Sequence, residues 1–384
     1  MKKNIQQGVK TFLLCASLTM MSACVDTSNN DKNSEISITE NNAESKLQEG
    51  TATVAFEDRQ ITYSGAYIID GKEVNINGGT YKSSVANQNV FLVVNGGKLN
   101  IKNATIIKSS NETASSNDEN YLYGINASII VIGEESSAQI KNCTIESSSK
   151  GSDALYATNN AKIEVEKTEI NTTKESSKGI SNTYGATIEA KNVTISTTAK
   201  NSAPINSTLN GGEISVNGTS LSSKGKNSPC IYAQGTITLK NVRGTAENSE
   251  AAIVNGNHLL TLKKCNLSGN GILLQNSEST SQSTSTSLEL DKTVVQNNSA
   301  NALLMIHNTN ANVTIEDCSL KNNTATLIQA KKSKTGVASH LTFQAITQNL
   351  SGDIVTDEES TIVMNLKNSI MNGTHKGNIT VKQK

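Results

Sequence analysis

The chain has 384 residues, a formal net charge of +0 and 18% charged residues, so no global field draws it to nucleic acid or to an acidic surface. Aromatic residues make up 3% and Trp is absent. The large anchors of an ordinary globular core are therefore missing, and burial falls to Ile, Val and Leu in short alternation.

The first residues read as an export signal. Lys2 and Lys3 form a charged start, and residues 11–21 contain an apolar core too short to span a membrane as a mature helix. Met21-Ser22-Ala23-Cys24 resembles the bacterial lipobox, in which the Cys after the cleavage site receives a lipid; where that pattern prefers Leu, this chain has Met21. The expected organisation is a lipoprotein signal over 1–24 with lipid on Cys24, a disordered tether over 25–50, and a folded domain with end caps over 51–384. The tether expectation rests on a polar stretch without periodicity, which buries too little apolar surface to offset its ordering entropy.

The remainder is organised by one recurring segment, LNIKNATI at 99–106. It returns as AQIKNCTI ending at Ile145, AKIEVEKTEI at Ile170, ATIEAKNVTI at Ile195, GEISVNGTSL at Leu221 and ANVTIEDCSL at Leu320. Most steps are about 25 residues, a spacing that marks solenoids. Within each copy the apolar period is two: Ile163 and Val165 face one way, and Lys162, Glu164 and Glu166 the other. A bend, a second short strand and, after a polar loop, a third apolar group follow. Three short strands per repeat predict an all-β fold, a single-stranded right-handed parallel β-helix of about 11–12 coils.

Asn103, Asn142, Asn192 and Asn241 recur at the bend, where Asn tolerates left-handed backbone and its amide can bond the same amide one coil away; they predict a turn ladder. Cys143, Cys265 and Cys318 share the next position, where other repeats carry Ala, Thr or Val, and with Cys230 they read as buried thiols. Those cysteines lie on non-adjacent coils, too far apart to bridge, and no C-x-x-C or H-x-H spacing points to a metal. Pro204 and Pro229 open third strands, where a missing N–H costs least. Longer polar insertions at 109–120 and 276–287 read as surface loops. The segment after Leu350 is expected to close the last coil and hide the strand edge, with Lys382 and Lys384 discouraging edge pairing.

From about residue 60 onward the chain resembles the right-handed parallel β-helix proteins of the pectin-lyase-like superfamily, in particular bacterial surface members without catalytic residues, described as adhesins or carbohydrate-binding proteins. The resemblance implies a non-catalytic, lipid-anchored protein at the bacterial cell surface, touching the membrane through its lipid only and binding polysaccharide or another surface component. A polysaccharide lyase or glycoside hydrolase is the alternative, and a spacer without a ligand the second. Lyase chemistry, as the resemblance implies it, uses acid-held calcium and an Arg base, yet the chain has only Arg59 and Arg243, without carboxylate partners in sequence. The acidic pairs Asp118-Glu119, Glu134-Glu135 and Asp357-Glu358 offer weak calcium binding at best, and the four histidines are scattered without a nucleophile motif. Tyr156 and Tyr232 share a repeat position and are expected to face outward as glycan contacts.

Overall fold

In the computed structural model, residues 36–39, 47–57, 59–110, 122–277 and 285–383 are described. The signal with Cys24, most of the 109–120 insertion, part of the 276–287 insertion and Lys384 lie outside them. Within the unit Ser34–Lys384 the elements are β-strands stacked as a right-handed parallel solenoid of about 12 turns.

The central coils each contribute one strand to each of three walls. In a central coil these are Lys162–Glu166 in the first wall, Glu169–Thr172 in the second and Ile180–Asn182 in the third. The first and third walls are 14-stranded sheets and the second is 10-stranded. The repeated segment stacks in register: Ile76, Ile101, Ile140, Val165, Ala190 and Val216 are successive partners along one column. Strict alternation makes this register robust, because a one-residue slip would turn every apolar side chain outward. Ile101, Ile140 and Val165 are each at most 2% exposed and belong to one apolar cluster running from Leu47 to Leu366. Burying a side chain of this size contributes about 1.5–3 kcal/mol, so inward columns such as this one hold the coils together.

The corner between the first and second walls is set by one backbone conformation. Asn103, Asn142, Asn192 and Asn241 have φ of 54–55°, and Gly78 and Gly218 stand at the same position in other coils with φ of 87° and 67°. Lys167, Lys264, Lys292, Asp317, Thr347 and Asn368 occupy it too, all left-handed. The next residue is small and buried in most coils, Gln348 being the exception in size. Thr168 Oγ1 donates to the Glu166 carbonyl at 2.9 Å, and Cys143 Sγ to the Lys141 carbonyl at 3.3 Å, so the thiol takes the place of the hydroxyl. Cys143, Cys230 and Cys265 are buried, Cys318 is half-buried, and all four are free.

A second corner, after the second wall, is held by hydroxyls. Ser147, Thr172, Thr197 and Ser223 each donate to the carbonyl five residues on. The residues reached, Ser152, Ser177, Ser202 and Ser228, are linked coil to coil: the amide N–H of Ser152 donates to Ser177 Oγ, that of Ser177 to Ser202 Oγ and that of Ser202 to Ser228 Oγ, at 2.9–3.1 Å. These bonds satisfy backbone groups that the turn would otherwise bury unpaired.

Two differences from the sequence reading concern the ends. Ile36–Thr39 lies inside the segment read as a tether, yet it pairs in parallel with Glu73–Asn77, and Leu47 is buried. The first folded strand therefore comes earlier than residue 51. Gly50–Ala55 then runs antiparallel to Gln60–Asp70, so the third wall begins with a hairpin. At the other end, Asn378–Gln383 pairs with Thr361–Lys367, and its far edge has no strand partner among the described residues. A parallel strand added to a stack moves the edge by one rung and does not remove it, so among the described residues nothing hides that edge.

Candidate binding face

Alternation puts every second residue of the first wall outside. The middle outward column runs Asn100, Gln139, Glu164, Glu189, Ser215 and Thr238, register partners in turn. Over the coils of Gln139 to Thr238 this wall carries a shallow open trough of about 520 Å³, lined also by Lys141, Glu166, Lys191, Asn217 and Lys240. Lys162 Nζ lies 2.7 Å from a Glu164 carboxylate oxygen and 3.0 Å from one of Glu189, bridging two coils. Its ammonium is held above the usual lysine range by the hydrogen bonds it donates to these carboxylates. Lys141 pairs with Glu166 at 3.2 Å. That hydrogen bond, with the charges of Lys141, Lys167 and Lys191, holds the Glu166 carboxyl below its ordinary value.

The outermost column of this wall, beside the corner, is unlike the rest. Lys102, Lys141, Lys191, Lys240 and Lys263 occupy it, with Glu166 and Asn217 between them and Asp291 and Glu316 on the two coils that follow, and the corner itself adds Lys167, Lys264 and Lys292. Each lysine is exposed. The sequence frame contains this column, but its signal is visible only once the register brings residues roughly 25 apart into line.

The asparagine positions sit at the edge of the same face. Asn142 Nδ2 donates to Asn103 Oδ1 at 2.6 Å. Where the preceding coil has Gly at the corner, the amide reaches one residue earlier: Asn103 donates to Asn77 Oδ1 and Asn241 to Asn217 Oδ1. Asn192 shares the backbone conformation.

The tyrosines belong to the third wall. Tyr156 leaves the tube outward, but it is 1% exposed. Its hydroxyl donates to the Leu122 carbonyl and lies 3.2 Å from Thr183 Oγ1. It is packed with Ile61, Tyr63, Leu92, Tyr123 and Ile130 in a second apolar cluster outside the tube, which the hairpin and residues 122–127 cover. As an exposed glycan contact Tyr156 is thus corrected: the chain returns over it. Phe56, Tyr123 and Tyr184 stack at the rim of this cluster, and the Arg59 guanidinium lies 5.1 Å from the Tyr123 ring centroid. Tyr232 is half-buried, its hydroxyl accepting from Asn255 Nδ2 at 3.1 Å. The two rings are three coils apart, with Ser181 and Asn206 between them.

Other chemistry-bearing residues are dispersed. Arg243 is exposed at the start of Arg243–Ala246, between Ser220 and Asn266. Asp357 accepts from the backbone N–H groups of Lys332, Glu359 and Ser360, and Glu134 and Glu135 are exposed in a turn. No group of three or more His, Cys, Asp or Glu suited to a metal ion occurs among the described residues. His307 is half-buried on the third wall, its imidazole pushed down to about 4 by burial and by Lys331. Lys108 occupies the inward position held by Ser147 and Thr172 in later coils. Its ammonium is fully buried, donates to the Val85 carbonyl at 2.5 Å, and is lowered to about 8 by desolvation. Compared with protein-family models, curated proteins and solved structures, the chain matches none.

Proposed function

We propose that the protein is a non-catalytic, lipid-anchored cell-surface protein that binds a polysaccharide or a related surface polymer along its first wall. The observation that carries this reading is the open trough spanning five coils between Gln139 and Thr238, flanked by polar and charged side chains and aligned with the stack. A linear polymer of repeating units suits a face whose groups repeat about every 4.8 Å. Glu164 and Glu189 are the carboxylates best placed to flank a scissile bond there, but Lys162 bridges them and fills the space between. The reading is therefore binding without bond cleavage. Cys24 carries the lipid in this proposal, on the sequence pattern around it.

A glycan and glycopolymer array probed with the full-length chain tests it, each hit being incubated and its products sized. Binding with no shortened or unsaturated product is the expected result. Release of unsaturated ends would assign a lyase, and an array without hits would leave the wall as a spacer; either overturns the proposal.

A further inference from the structure

We propose that the lysine column at the edge of the first wall takes a linear phosphodiester polymer, laid along the stack with its phosphates at the lysine-bearing coils. This deepens the polymer-binding reading above and rests on it. Six of the lysines, Lys102, Lys191, Lys240, Lys263, Lys264 and Lys292, are exposed and make no ion pair with any described residue. Glu166 is occupied by Lys141 and Lys167. Lys240 and Lys263 are direct register partners, as are Lys102 and Lys141. Like charges facing each other across adjacent strands destabilise a sheet, yet a chain of zero net charge gathers them here. A polyanion following the column would relieve that repulsion coil by coil.

Three features select the anion. The column is built from lysine, a compact ammonium that binds phosphate as a point charge. The outward column beside it holds Gln139, Ser215 and Thr238, together with Glu164 and Glu189, whose carboxylates are both paired with Lys162, and no aromatic side chain, so it offers no platform for stacked bases or sugar-ring faces. These amide and hydroxyl groups instead match the hydroxyls of a polyol spacer between phosphates.

The test measures binding of the full-length chain to poly(glycerol phosphate), polygalacturonate, neutral dextran and oligo(dT), at low and physiological salt. It uses the wild type and the triple variant Lys191→Asn, Lys240→Asn, Lys263→Asn. Asn217 holds the same position naturally, so the variant is expected to fold and to melt no lower than wild type. Preference for poly(glycerol phosphate), weakened at least about tenfold in the variant with a salt slope shallower by about 2, is the expected result. Equal or tighter binding of polygalacturonate or oligo(dT), or a variant that binds as well as wild type, overturns it. Binding of dextran alone, unchanged in the variant, sinks this inference while sparing the polymer-binding reading. Binding to no polymer on either this panel or the array sinks both.

Discussion

At the corner between the first and second walls, a single backbone angle decides what a side chain is worth. Asn142 has φ of 54° and donates to Asn103. An Ala there keeps neither the left-handed tolerance nor the amide bond. Asn142→Ala is therefore expected to lower stability by about 1–2 kcal/mol, and Asn142→Gly by less than half of that, because Gly restores the angle and forfeits only an exposed bond. Urea denaturation of the two variants checks the ordering; an Ala variant as stable as the Gly variant would show that the angle carries no strain. The asparagines here were legible in sequence because their type and spacing announce a turn. Lys167, Lys264 and Thr347 adopt the same angle without announcing it. The stacked walls on either side impose the conformation on whatever residue stands there.

Among the strands, the inward end of the second wall shows how one element tolerates an exception. Ser147, Thr172, Thr197 and Ser223 bridge to their turns by hydroxyls, whereas Lys108 places a buried ammonium in that column. Its pKa is lowered in the fold to about 8 from 10.5, so the unfolded chain binds more protons between those values and stability rises with pH across that window. The stability difference between wild type and Lys108→Met is expected to shift in favour of wild type by about 3 kcal/mol from pH 7.5 to 10.5. A pH-independent difference would mean that the ammonium is solvated. None of this second corner was legible, because its hydroxyls fall in stretches that look like polar loop, and only the coil-to-coil bonds reveal their periodicity. Tyr156 taught the complementary lesson. Its outward direction followed from alternation, but the segment that buries it lies 34 residues earlier and follows an insertion. No local pattern encodes such a return.

For the whole solenoid, cohesion is a sum over neighbouring coils, so resistance to opening is set by what lies on either side. A hairpin and an extra apolar cluster back the first coils of the third wall. At the far end Ile370 and Val381 are 58% and 38% exposed, and Asn378–Gln383 has one strand neighbour among the described residues. Hydrogen exchange followed by mass spectrometry is expected to show protection falling from the central coils towards 370–383, with those residues exchanging at least about a hundredfold faster than 162–240. Uniform protection would mean that this end is covered in solution. The stacked-coil architecture itself was legible from period and spacing, since each repeat states the same apolar pattern; which coils are reinforced depends on contacts made by non-repeating segments.

The shared left-handed corner has one more implication. Because every coil turns through the same hinge and hands the next one an identical ledge, the solenoid can change length only in whole increments. Gaining or losing a complete turn leaves all remaining columns aligned, whereas one extra residue within a strand needs a local register shift, as between Thr326 and Ile328, to keep the rest of that strand on the right side of the partition. Evolution of such a chain is thus a matter of counting storeys, and the reach of its lysine edge is set by how many have been stacked.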